Sequence, residues 1–150
     1  MAEAGQAVLT RFLAHRRQTE DLARRFPAEH AEFAPWVGAM GVAALIGHMA
    51  LAHRRFVGVT CGGQPPELGA VPTDLPGVCA TLSAYTEDAV TQLRGLDDAR
   101  LLRPVTFRER TLPAGSWLDL ALEHEIHHKG QLFVYARLLG VEPPPWRKRG

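Results

Sequence analysis

A chain of 150 residues, 46% hydrophobic and 22% charged, is long and apolar enough to bury one core without staples, as a single domain. Its net charge of +1 gives no general electrostatic case for nucleic acid or a membrane surface, and the short basic run Arg147-Lys148-Arg149 does not change that. Two cysteines, Cys61 and Cys79, without CxxC spacing point to a reduced, cytoplasmic setting. The first residues lack the long apolar core of a signal peptide, and no stretch approaches the ~20 apolar residues of a membrane span.

Residues 4–26 open the chain with Val8, Phe12, His15, Thr19, Leu22 and Phe26 at steps of four and three, the inward stripe of a helix. Arg11, Arg17, Glu20, Asp21, Arg24 and Arg25 fall largely on its solvent side. Pro27 ends it. Residues 27–40 read as a connection, with Phe33 and Trp36 expected over one end of the core. A second helix runs from about 41 to 59 on Val42, Leu45, Met49, Ala52 and Phe56, and the Gly/Pro-rich segment 61–73 is loop. Asp74 can cap a third helix reaching about Leu96, where Pro76 is tolerated in the first turn. Residues 97–115 read as irregular, with a short helical turn at Asp98–Leu102; VTFRERTL suits a brief strand, but no sheet is expected.

The last helix spans 116–140. Ser116 and Asp119 have capping-box spacing, Gly140 suits the left-handed position after the helix, and Pro143 follows. Four helices with little strand signal predict an all-α four-helix bundle with long crossover connections. Within the last helix lies His124-Glu125-Ile126-His127-His128. Residues four apart differ by about 40° around a helix, so His124 and His128 can face one ion, while His127 is turned about 60° away. His48 lies beside the apolar stripe of the second helix. A lone inward histidine is most simply a hydrogen-bonded core residue. Three of them in one bundle form a costly cluster unless they share an ion. Three neutral imidazoles can bind a divalent transition metal and leave positions open for water or substrate.

His48 in GHMALAHRRF and the run HEIHHKGQLFVYARLLGVEPP resemble the DinB/YfiT-like metalloenzymes, whose last helix carries H-x-x-x-H-[RK]-G-Q-x-x-x-Y-x-R-x-x-G-x-x-P-P. The likeness extends over the whole chain in length and helix count, and is dense in motifs only at 45–56 and 120–144. Lys129 stands where arginine is commoner. The resemblance implies a bundle with overhand connections, one Zn or Ni ion per chain on His48, His124 and His128, and often a homodimer. It also implies a thiol-dependent transferase or isomerase acting on a small-molecule substrate with a low-molecular-weight thiol.

HEIHH is also a literal H-E-x-x-H, in which Glu125 would be the general base of a metallohydrolase. The longer zinc-protease signature fails, because Gln131 and Val134 stand where glycine and a third histidine are required. A non-catalytic metal-binding protein is the other alternative. Gln131 and Tyr135 continue the ligand face and could hydrogen-bond a bound water or substrate; His15 is a core histidine or a further ligand. His53 and Glu125 are placed at the surface, His127 within reach of Glu123, and Gly130 where a neighbouring helix could approach closely. Neither cysteine has a nucleophile's motif.

Overall fold

Apolar residues at helical spacing set the frame. The computed structural model describes residues 3–146 and has α1 (Glu3–Arg25), a 3-10 turn at Ala28–His30, α2 (Val42–Gly62), α3 (Leu75–Arg94) and a short α4 (Asp98–Leu102). Strands β1 (Pro104–Phe107) and β2 (Arg110–Pro113) and helix α5 (Ala114–Leu138) follow. Asp74 caps α3 as expected, its carboxylate accepting from Gly77 N–H at 2.8 Å. Gly140 closes α5 at φ +71°, and Val141 N–H reaches back to Ala136 O at 2.8 Å.

Helix α2 packs against α3 and α5, and α1 packs against the same two. Consecutive helices α1 and α2 therefore stand at opposite corners, as do α3 and α5. The connections between them cross an end of the bundle, which is why they are long. The second connection, 63–74, folds back over α2: a Cβ added to Gly58 would lie 2.5 Å from Pro66 Cδ. Only glycine lets that proline approach so closely.

Two apolar clusters fill the bundle. One holds Leu22, Leu45, Met49, Leu82 and Leu132; the other holds Leu9, Phe12, Val57, Leu93 and Leu118. Between them, buried on successive helices, lie Arg16, Thr19, His53, Thr86 and Glu125. A polar layer thus divides the core.

Several expectations are corrected here. Residues 104–113 do form a sheet, an antiparallel hairpin in register Val105↔Leu112, closed by Arg108 and Glu109 at φ +49° and +63°. Its two-residue turn needs positive φ at both positions yet lacks the Asn-Gly pair that announces such turns. Trp117 Nε1–H, donating to Val105 O at 3.0 Å, fixes the hairpin to α5. Helix α5 starts at Ala114 with no side-chain cap, so the Ser116/Asp119 box is not its terminus. Phe33 packs on the core, edge-on to Tyr135, but Trp36 is 62% exposed. Glu20 is buried and holds Arg17 at 2.9 Å. A Cβ added at Gly130 would meet no atom within 4 Å, so no helix of this chain approaches there. Among the described residues, no helix is long and apolar enough to cross a membrane.

Candidate metal centre

Pairing of α2 with α5 brings His48, His124 and His128 together, although His48 is 76 positions from His124. His48 Nε2 lies 2.9 Å from His124 Nε2 and 3.1 Å from His128 Nε2. Two nitrogens each ~2.1 Å from one ion, at roughly 90–110° to one another, stand about 3.0–3.4 Å apart. The ligand atoms of the three residues all lie within 4.8 Å of one another, so the group could hold a metal ion. All three rings are partly exposed to solvent.

The protonation state suits that role. His128 Nδ1 lies 2.7 Å from Gln131 Oε1, an acceptor, which places the ring proton on Nδ1 and leaves the Nε2 lone pair free. Burial, with His128 and His48 adding to it, pushes His124 down to about 4. Burial also lowers His48, and His128 and Arg55 act in the same direction. At neutral pH both imidazoles are thus neutral ligands. His124 Nδ1 is buried without a hydrogen-bond partner.

Behind the ligands lies the buried polar layer. Arg16 donates from Nε to Glu125 Oε1 at 3.0 Å and from Nη2 to Oε2 at 3.1 Å, with no exposure on either side chain. Thr19 Oγ1 donates to Glu125 Oε1 at 2.7 Å. Arg16 also reaches Thr86 Oγ1 at 3.4 Å and Met49 O at 3.5 Å, so it touches all four long helices. Burial alone would raise the Glu125 carboxyl, but Arg16, His53 and Thr19 outweigh it and hold the group well below the usual carboxylate range. His53 Nδ1 lies 3.2 Å from Glu125 Oε2 without the alignment of a hydrogen bond. Burial lowers His53, and Arg16 lowers it further, against the pull of Glu125.

Both Glu125 and His53 were expected at the surface, and both are buried. Charge type misleads here, whereas spacing does not: Arg16 is four residues after Phe12, and His53 is four after Met49 and four before Val57. A helix packed by neighbours on several sides buries an arc wider than one apolar stripe. Glu125, sealed from solvent and held by an arginine, is not placed as a general base. The metallohydrolase reading of HEIHH fails on that ground.

A family model, the DinB family, matches residues 1–149. The chain belongs to the DinB family. It is 32% identical to YjoA of Bacillus subtilis (strain 168) over 157 aligned residues, covering 99% of each. The crystal structure of that DinB-like protein superposes with a TM-score of 0.82 at 31% identity, over 96% of this chain and 99% of that one. A DinB-like protein from Bacillus cereus ATCC 10987 has the same TM-score, 0.82, at 18% identity, over 93% of this chain and 95% of its own. The second likeness is one of fold alone.

In this DinB-family chain the other candidate residues occupy distinct places. Gln131 touches His128. Tyr135 is buried, and its hydroxyl donates to Met40 O at 2.9 Å. His15 Nδ1 lies 3.0 Å from Lys129 Nζ, which donates to Gln18 Oε1 at 2.6 Å. His127 is exposed, its ring against that of His128, and among the described residues no ion pair joins it to Glu123.

Proposed function

We propose that this DinB-family protein is a metal-dependent transferase that joins a low-molecular-weight thiol to a small electrophilic molecule. His48, His124 and His128 would hold one divalent transition ion, zinc or nickel. The convergence of three imidazole nitrogens, one oriented by Gln131, carries the reading. Such an ion would supply Lewis acidity, lowering the pKa of a thiol or water that binds it.

The residues of the chain have supporting tasks. Gln131 holds the His128 proton on Nδ1 and so keeps Nε2 available. Burial of His48 and His124 keeps protons from competing for the site at neutral pH. The buried Arg16–Glu125 pair anchors the helical segment that carries His124 and His128 against α1. Partial exposure of the three rings gives a small molecule access from solvent.

Sulfur has to come from outside the chain. Burial pushes the Cys61 thiol up to about 11, despite Arg100, and raises Cys79 as well, despite Arg24. Neither is a thiolate at neutral pH, so neither is a ready nucleophile. An external thiol is then the sulfur donor, losing its proton to solvent as the new carbon–sulfur bond forms and the leaving group departs with its electron pair.

The second reading is a non-catalytic metal protein in which the ion ties α2 to α5, and the span of the three ligands across those two helices favours it. One experiment separates the two. Metal-loaded protein and its His48→Ala variant are screened with a panel of low-molecular-weight thiols and activated electrophiles. Conjugation that follows metal content supports the transferase. Full loading and a raised melting temperature with no conjugate for any pair would favour the structural role.

A further inference from the structure

Between the end of α1 and the start of α3 lies an open gap of about 150 Å³. Its walls include Ala23, Phe26, Leu75, Pro76 and Cys79, and Arg24 lines it as well. Ala23, Phe26 and Leu75 are buried in the apolar cluster that holds Leu22 and Leu45, and Cys79 is half-buried against that cluster. Arg24 and Pro76 are exposed. The gap is thus an edge of the core left uncovered where two helices end. A cavity of about 150 Å³ with apolar walls is large enough for one benzene-sized ring.

Its one charged side chain has no use within the chain. Among the described residues Arg24 makes no hydrogen bond, ion pair or ring contact, whereas its neighbour Arg25 is tied to Asp21 at 3.0 Å. Arg24 is also near enough to Cys79 to oppose the burial that raises the thiol, which sets guanidinium and thiol on the same space. Small-molecule sites have this make-up, apolar walls with a single polar group that fixes orientation.

We propose that the gap binds a small aromatic carboxylate, its ring between α1 and α3 and its carboxylate on Arg24. Volume and charge select that class together. A flat ring fills a gap of this size and covers Phe26 and Leu75, which removes apolar surface from water. An unpaired guanidinium offers two parallel N–H donors that match a carboxylate in geometry and in sign. A cationic ring would meet Arg24 with like charge, and a neutral one would leave the guanidinium without a partner. The gap shares no residue with the metal centre, so this site stands apart from the reading given for His48, His124 and His128.

Benzoate is the test ligand and Cys79 the reporter, with Cys61 on α2 as the reference. The full chain is alkylated with iodoacetamide, a neutral reagent, at rising benzoate, and each cysteine is followed by peptide mass spectrometry. Benzoate should remove most of the reactivity of Cys79 and none of that of Cys61, with half-protection at about 1 mM, an affinity within reach of so few atoms. Arg24→Gln should weaken benzoate roughly tenfold while leaving benzyl alcohol as it was. Arg24→Glu should turn the preference towards benzylammonium. Amide NMR spectra of the parent should shift on benzoate addition at residues 23–28 and 75–79, and they check that both variants keep the fold. Benzoate that protects neither cysteine, or both alike, overturns the proposal. So does benzyl alcohol binding as tightly as benzoate, or benzoate binding that Arg24→Gln leaves unchanged.

Discussion

Arg16 and Glu125, 109 positions apart, face each other through two parallel hydrogen bonds with neither side chain exposed. The pair sits between the two apolar clusters, one residue from His124. Removing one partner of a buried pair strands a charge, which typically costs about 3–5 kcal/mol, whereas replacing both with apolar groups costs far less. Arg16→Met should therefore lower unfolding stability by about that amount in urea titrations. Adding Glu125→Leu should recover much of the loss. A single variant as stable as the parent would show that the pair is not the buried clamp described.

Metal retention should divide the histidines. His48→Ala, His124→Ala and His128→Ala should each lose tight binding of the ion, since two ligands compete poorly with water and buffer. His127→Ala should keep it, because its ring lies on the exposed side. Elemental analysis after dialysis reads the result directly. His48→Ala protein that remains fully loaded would remove His48 from the site.

Gln131 acts on the site through His128. Its loss leaves the Nδ1–H of His128 without its acceptor, and partners of this kind are worth about 10–100-fold in metal affinity. Gln131→Leu should weaken binding by that factor with the fold unchanged, as read by competition with a chromogenic chelator. Affinity equal to that of the parent would show that the 2.7 Å contact does not orient the ring.

Acid should destabilise the ion-free protein through His124. In the unfolded chain its imidazole takes a proton near the ordinary value of 6.5, whereas the folded one resists until about 4. Between those values the unfolded state binds more protons, so stability falls as pH drops through that window and is flat above it on this account. His48, also lowered by burial, acts with the same sign. The lowered Glu125 adds its own loss only below its ordinary value of 4.5. Thermal melts of metal-free parent and His124→Ala should therefore diverge in slope between pH 6.5 and 4.5. Identical slopes would dismiss His124 as the cause.

The hairpin turn offers a test of backbone geometry. Arg108 and Glu109 both adopt left-handed φ, which costs a side-chain-bearing residue about 1–2 kcal/mol. Replacing them with Asn-Gly, the pair that favours this turn, should raise stability by about 1 kcal/mol. An unchanged or lowered denaturation midpoint would contradict the assigned turn.

Local rules accounted for a good part of the molecule. Apolar residues at steps of three and four located the four long helices, because a helix must turn one face to the core wherever it packs. Asp74 and Gly140 marked ends for the same local reason: a side-chain acceptor and a glycine free of Cβ strain act within a few residues of themselves. The spacing of His124 and His128 likewise put two imidazoles on one face. Their meeting with His48 was expected by likeness to a family, and nothing local brings residues 76 apart together.

Tertiary packing decided the rest. Glu125 looked like a solvent-facing charge because ionised side chains are placed at the surface unless a partner is known, and its partner, Arg16, lay on another helix. His53 was misjudged for the same reason: α2 is packed by several neighbours, and its buried arc exceeds the stripe that its apolar residues trace. The Arg108-Glu109 turn carried no glycine to announce it, and it is held where Trp117 of α5 binds the strand carbonyl of Val105. In each case the deciding contact joins residues on different elements, and a one-dimensional pattern records what a residue is, not what the fold sets beside it.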